Sequence, residues 1–414
     1  MALLLDCLLL ALGTYLLGRV AGLAKLPPLL GMIFAGTLVA TLDLPAGLAG
    51  PRLEQWSSPL RVAIPTVLLL RAGLGISLPE LRRLGTLGLR LGIVPLLADA
   101  AVLWAASMWL LDLEPLVAAV LAFLVAALSP AIVLPGLLSL IEARPQGSRS
   151  RGVLGALLVG APLDNVLALV LMGVALDAAL TGTSSLGSLG TVLLWKVGIG
   201  LSSGLLAGGL LARLLSSRSR PQRPEVVLAG VVLVAGLLLW AGQRFEFSFI
   251  LAHVAMGLGM RHVAPELRDS LDQSLRRIWD VAQYVLFGLI GAALDLDAVL
   301  AAGLAVSAVV LLGQVGRFAG SYVATMGAKL SSRERLACAL AYVPKATIQA
   351  AFAAWPLDRV QEAAGPVLLS RCDAELILCA GVLAVVITAP LGAITLNKGV
   401  DKLLPAASRS STAR

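Results

Sequence analysis

Four ionisable side chains stand far from the end of any apolar segment: Asp99, Asp164, Arg317 and Lys345. A charge at the centre of a membrane helix costs about 2.5–3.5 kcal/mol on insertion scales, so each needs a reason to be there. One reason is an ion pair that ties helices together. The other is transport. A carboxylate in apolar surroundings binds a proton or a hard cation, and the oxygens of Ser129 and Asn165 are of the type that completes a cation's shell. Backbone adds to this inventory at two places. Ala127-Leu128-Ser129-Pro130-Ala131-Ile132-Val133-Leu134-Pro135-Gly136 and Ala341-Tyr342-Val343-Pro344-Lys345-Ala346-Thr347-Ile348-Gln349 each interrupt an apolar run with proline. Proline removes an amide donor and clashes with the preceding turn, which frees carbonyls that lipid cannot satisfy. Breaks are therefore predicted at Pro130 and Pro135, and at Pro344 with Lys345 and Thr347 beside it. A simple kink is the plainer alternative for any lone proline.

The elements that hold these residues follow from composition. The 414 residues are 58% hydrophobic and only 14% charged, against roughly 45–50% and about 25% in soluble domains. The mean hydropathy is +0.93. This excludes soluble, disordered, collagenous and disulfide-rich classes and predicts an all-α polytopic membrane protein. Four cysteines and two histidines, His253 and His262, offer neither a disulfide framework nor a metal cluster. Segments of about 20 apolar residues number thirteen. They start near Leu3, Leu26, Leu60, Leu84, Pro115, Val153, Leu186, Val226, Phe247, Trp279, Ala298, Leu336 and Ala374. Asp6 precedes the first apolar run and the basic residues follow it, the reverse of a signal peptide, so the first span is read as uncleaved.

The formal charge of +8 is explained by topology rather than by a nucleic-acid partner. Of 32 basic residues, 22 fall in connections after odd-numbered spans, and only Arg52, Arg61, Arg244, Arg359 and Arg371 after even-numbered ones. Arg71, Arg90, Lys196, Arg317 and Lys345 lie within or at the edges of spans. Such alternation predicts the N-terminus outside and the C-terminus in the cytoplasm. The short tails and the lack of a targeting segment suggest the plasma (inner) membrane of a bacterium.

The order of elements repeats. Span 4 carries Asp99, span 5 is broken, and span 6 carries Asp164-Asn165. Span 11 carries Arg317, span 12 is broken and carries Lys345, and span 13 contains Pro390. A three-helix unit with its broken member in the middle occurs twice, the pattern of an inverted-repeat transporter whose two broken helices cross at the ion site. Opposed half-helix dipoles meet there, and cationic side chains neutralise the negative ends.

Several stretches carry a family likeness. They are Leu26-Pro27-Pro28-Leu29-Leu30-Gly31-Met32, Trp56-Ser57-Ser58-Pro59-Leu60-Arg61, Leu70-Arg71-Ala72-Gly73-Leu74-Gly75, Ser129-Pro130-Ala131, Trp279-Asp280, Phe287-Gly288-Leu289-Ile290-Gly291-Ala292 and Pro344-Lys345-Ala346-Thr347. In order and spacing, from about Leu26 to Leu396, the chain resembles the NHA-type sodium/proton antiporters of the cation/proton antiporter superfamily. The resemblance implies a homodimer working by elevator-like alternating access, with no cofactor beyond the transported Na⁺ or Li⁺ and H⁺. It implies dimerisation helices in residues 1–78 and 225–295, core helices in 84–181 and 297–398, a linker helix in 186–215 and a short tail in 399–414. It also implies a core ion pair between Asp99, where the family usually has glutamate, and Arg317. Two departures stand out. The family carries two adjacent aspartates in the sixth span, and here Asp164 is followed by Asn165, which cannot titrate near neutral pH. The tenth-span motif ends Gly291-Ala292-Ala293, where the family has an acid.

Two readings stay open on these residues. In the first, the chain exchanges Na⁺ or Li⁺ for H⁺, with Asp164 titrating and Asp164, Asn165 and Ser129 holding the cation. In the second, loss of the second aspartate makes it a member of the fold that moves another solute or acts as a non-transporting membrane partner. An intramembrane enzyme has no motif here, and no repeated pore-loop filter suggests a channel.

Overall fold

The computed structural model describes residues 2–24, 26–41, 51–75, 85–145, 148–181, 186–216, 223–245, 247–362 and 367–404. Lys25, Arg82, Arg83, Arg218, Arg220, Arg409 and Arg414, which enter the charge count, lie outside them, as do the last ten residues of the expected tail. Every regular element among the described residues is helical, as a bilayer requires of a chain with no closed barrel.

The elements run α1 (Ala2–Leu23), α2 (Pro28–Thr41), α3 (Pro51–Ala63), α4 (Thr66–Gly75), α5 (Gly85–Leu110), α6 (Pro115–Ala126), α7 (Pro130–Glu142), α8 (Arg149–Thr181) and α9 (Leu186–Ser216). They continue with α10 (Pro224–Arg244), α11 (Phe249–Val263), α12 (Arg268–Ala292), α13 (Leu296–Ala324), α14 (Ser332–Ala341), α15 (Thr347–Phe352), α16 (Trp355–Glu362), α17 (Arg371–Ile394), a π turn (Thr395–Val400) and α18 (Asp401–Leu403). Seven of them (α1, α5, α8, α9, α10, α13 and α17) are each long and apolar enough to cross a bilayer alone. Shorter apolar helices lie in α2, α6, α7 and α11. The predicted third span is two helices, because Pro65 sits in the turn between α3 and α4. The polar stretch Arg261–Arg277 is mostly helix. Leu271 and Leu275 are buried at i, i+4 while the basic residues Arg276 and Arg277 sit at more exposed positions, so an apolar stripe persists where average hydropathy falls.

Two compact units divide the chain. The first comprises Met1–Ile76, Gly173–Leu294 and Ala354–Ala374. Its helices touch through small residues: α2 meets α12 where a side chain at Gly36 would collide with the Gly288 carbonyl, and one at Gly291 with that of Ile33. At the same crossing Thr37 Oγ1 donates to the Gly291 carbonyl at 2.9 Å. Close backbone approach with a hydroxyl bond is how helices associate where lipid removes the hydrophobic drive. The unit also buries an ion pair, Arg61 with Asp358 of α16.

The second unit comprises Ser77–Met172, Asp295–Ala353 and Glu375–Arg414. It holds Asp99, Asp164, Arg317 and Lys345 together. Its tightest crossing is α13 on α5. A side chain at Gly316 would meet the Ala98 carbonyl and Val102, and one at Gly320 would meet Ala98 and Pro95. Gly313, which faces Leu103 and Asp99, and Gly320 lie four and three residues from Arg317 on its own face, so the spacing that lets α13 approach α5 also delivers the guanidinium to the interior.

If backbone contact sets the α2–α12 crossing, Gly36→Leu and Gly291→Leu should each destabilise by about 1–3 kcal/mol through overpacking. Gly13→Leu, which has open space around it, should leave stability unchanged. Thermal unfolding in detergent reads the difference.

Candidate functional site

The fifth predicted span is two half-helices, α6 and α7, and the twelfth is α14 and α15. Around the first break, Ala127 and Ser129 are extended. Pro130, at the first turn of α7, brings no N–H, so the last carbonyls of α6 have no helical partner. The breaks touch directly: the Ser129 amide donates to the Pro344 carbonyl at 3.0 Å. The N-terminal ends of α7 and α15 also meet there, with Ser129 Oγ 3.4 Å from Thr347 Oγ1.

Three side chains supply the donors that the broken backbone lacks. Lys345 Nζ donates to the Val125 carbonyl at 2.7 Å. Gln349 Nε2 reaches the carbonyls of Leu124, Val125 and Ala127 at 3.2, 3.1 and 2.6 Å. Arg317 Nη1 donates to Ala126 O at 3.1 Å and its Nε to Tyr342 O at 3.3 Å. It thereby caps the C-terminal ends of α6 and α14 together. Cations at these ends oppose the negative pole of each half-helix.

The acids meet the same cations. Asp164 Oδ2 accepts from Arg317 Nη2 at 2.7 Å, and its Oδ1 accepts from the Leu128 amide at 3.2 Å. Asp99 Oδ2 accepts from Lys345 Nζ and lies 4.0 Å from Arg317 Nη1. All four side chains are at most 1% exposed. Two acids and two bases sum to zero, the condition under which such a cluster can stay charged out of water.

The structure places Asp99, Asp164, Asn165, Ser129, Pro344, Lys345, Thr347 and Arg317 in one unit. Asp99 and Arg317 form the expected ion pair at 4.0 Å, but each has a nearer partner. The short aspartate is held by Lys345, and the guanidinium's near carboxylate is Asp164. Asp164 therefore has a partner on each oxygen. Pro135 is not a break: α7 runs through it, since a proline in mid-helix costs one hydrogen bond and a kink, whereas the extended residues at Ala127–Ser129 end α6 outright.

Further residues were not singled out by sequence. Gln349 is fully buried, and its signal was a lone amide four residues after Lys345 in an otherwise apolar run. Lys345 N donates to Thr388 Oγ1 of α17 at 3.0 Å, which fixes the backbone at the second break. The Tyr342 hydroxyl donates to Leu157 O at 2.9 Å, and its ring lies 5.4 Å from the Arg317 guanidinium carbon. Asn165 is buried, and its Oδ1 accepts no hydrogen bond among the described residues.

The family model described as sodium/hydrogen exchanger, transmembrane, matches residues 8–398. Sodium/hydrogen exchanger 9B2 of Mus musculus is 29% identical, over 92% of this chain and 70% of the relative. Sodium/hydrogen exchanger 9B1 of Macaca fascicularis is 28% identical, over 93% of this chain and 75% of the relative. The solved structure of the sodium proton antiporter MjNhaP1 from Methanocaldococcus jannaschii superposes with a TM-score of 0.80. That match covers 98% of this chain and 100% of the other at 20% identity, a likeness of fold.

Removing one member of a buried ion pair strands its partner, while removing both does not. Lys345→Met should therefore cost about 3–5 kcal/mol, and the double variant Asp99→Asn/Lys345→Met should recover most of that loss. Denaturation midpoints of purified protein in detergent test the order.

Proposed function

Because the chain belongs to the sodium/hydrogen exchanger family, over residues 8–398, we propose that it exchanges Na⁺ or Li⁺ for H⁺ with Asp164 as the titrating carboxylate. Asn165 and Ser129 supply neutral oxygens to the cation, and the unit that contains the charge cluster carries it by elevator-like alternating access. The other unit serves as the dimerisation domain of a homodimer. The biased distribution of basic residues supports an N-terminus outside and a C-terminus in the cytoplasm.

The observation that carries this reading is Asp164 itself, a buried carboxylate at the crossing of two interrupted helices, held by one guanidinium and one amide. A proton on Asp164 takes the neutral four-charge cluster to +1. A sodium ion bound to the ionised Asp164 also takes it to +1. The two loaded forms carry equal charge, so one-for-one exchange moves none across the membrane, where each elementary charge costs about 2.3 kcal/mol per 100 mV. The second reading, a member of the fold that does not exchange Na⁺, draws on the same bonds: both Asp164 oxygens already have partners, and Asn165 offers no second acid.

Proteoliposomes separate them. Wild type should acidify or alkalinise the lumen on a Na⁺ or Li⁺ gradient, and Asp164→Asn should abolish this; full activity in that variant removes Asp164 from the role. Silence of wild type toward Na⁺, Li⁺ and K⁺, with exchange gained in Asn165→Asp, establishes the second reading. Competition for one carboxylate gives a signed pH dependence. The apparent KM for Na⁺ should rise as pH falls, approaching about tenfold per unit, with maximal rate unchanged. Clamping the membrane potential with K⁺ and valinomycin should leave the rate unaltered.

A further inference from the structure

Gln349 is fully buried on the first turn of α15, and its two amide atoms are treated differently. Nε2 faces three carbonyl oxygens of the α6 end, Leu124, Val125 and Ala127, at 2.6–3.2 Å. Turning the amide over would set Oε1 against those same oxygens, so the orientation is fixed by the network. Oε1 is consequently held in place, buried, and without a donor among the described residues. A buried acceptor left unpaired is costly, and persists where something other than a protein donor meets it.

Its location connects it to the exchange site. The peptide between Ala127 and Leu128 is gripped from both sides: Gln349 holds its carbonyl and Asp164 accepts its N–H. Gln349 and Asp164 thus hold the opposite ends of one peptide unit. Asn165 Oδ1, next in sequence to Asp164, is a second buried neutral oxygen with no donor among the described residues. Hard cations of low charge take neutral amide and carbonyl oxygens as ligands alongside a carboxylate.

We infer that Gln349 is a further ligand to the transported monovalent cation, its Oε1 providing the neutral oxygen that accompanies Asp164. This rests on the exchange reading and names a residue of the same site. Nε2 caps the half-helix and aims the amide; Oε1 meets the ion.

The two roles separate by substitution. Gln349→Met keeps the volume and offers neither donor nor oxygen, while Gln349→Glu keeps an oxygen and loses the donor. Initial rates of Na⁺- and Li⁺-driven proton flux are measured in proteoliposomes, along with the rise in unfolding temperature that NaCl gives the detergent-purified protein. The ligand role predicts that Gln349→Met raises KM for both ions about tenfold or more, and loses the NaCl-dependent rise. Gln349→Glu should keep a KM at or below that of wild type. A wild-type KM in Gln349→Met overturns the inference. So does an equal fall in maximal rate in both variants at constant KM, which is what capping alone would give. If Gln349→Met does not fold, Gln349→Glu decides: a KM raised tenfold overturns the assignment, and one at or below wild type supports it. Failure of the underlying reading looks different: wild type itself is then silent to Na⁺ and Li⁺ and gains no stability from NaCl.

Discussion

Arg317 is the side chain on which the second unit depends. It reaches the carbonyl ends of two half-helices, Ala126 and Tyr342, and the carboxylate of Asp164 on a third helix. In hydrocarbon surroundings an unpaired carbonyl costs several kcal/mol, so a chain that breaks two helices in the bilayer must bring donors to the breaks. A guanidinium is suited to this because its five donors lie in a fixed plane and it stays charged at any physiological pH. A lysine there could reach the same oxygens singly but could not hold them in one geometry. Once the guanidinium is buried, a carboxylate must accompany it; Asp164 follows from the broken helices as much as it does from transport.

The cost of placing these groups falls on helix packing. Arg317 sits in α13 among Gly316 and Gly320, where α13 lies against α5 with little between their backbones. A larger residue at either glycine would push the guanidinium away from Ala126 and Tyr342. Thr388 and Tyr342 act likewise at the second break, one fixing the Lys345 backbone and the other bonding the Leu157 carbonyl. Interhelical hydrogen bonds of this kind are individually modest in membranes, averaging about 0.6 kcal/mol. Their effect is to confine the charged groups to one arrangement.

The class and the positions of the breaks were legible in the sequence because their signals are local. Apolar runs of about 20 residues mark helices, and proline in mid-run marks freed carbonyls, so Asp99, Asp164, Arg317 and Lys345 could be named as one set. The partners within that set were not legible. Whether Asp99 pairs with Arg317 or with Lys345 depends on side-chain reach across three helices, and periodicity carries no information on that. Pro135 shows the same limit. Its residue type equals that of Pro130, but Pro130 begins a helix and Pro135 lies inside one. Gln349 was not legible because charge is the criterion by which a buried amide stands out: Asn165 adjoins Asp164, whereas Gln349 lies four residues from Lys345.

That criterion bears on how the cluster could couple two ions. The resemblance to the NHA-type antiporters implies two adjacent acids where this chain has Asp164 and Asn165. Coupling does not require the second acid, because it can arise from the cluster's total charge. Two added positive charges about 4 Å apart repel by about 4 kcal/mol at an effective dielectric constant of 20. Relative to one ion alone, that penalty lowers joint occupancy by nearly a thousandfold. On the exchange reading, a proton and a sodium ion at the neutral cluster of Asp99, Asp164, Arg317 and Lys345 exclude one another even where they do not share a ligand. Mutual exclusion is the thermodynamic requirement for exchange. On the exchange reading, Asn165 in place of an acid removes one negative charge from the site, so affinity for either ion falls while the repulsion between the two is unchanged. Under the same reading, neutral oxygens such as those of Gln349 and Asn165 would add affinity without adding negative charge, and so recover binding while leaving the exclusion intact.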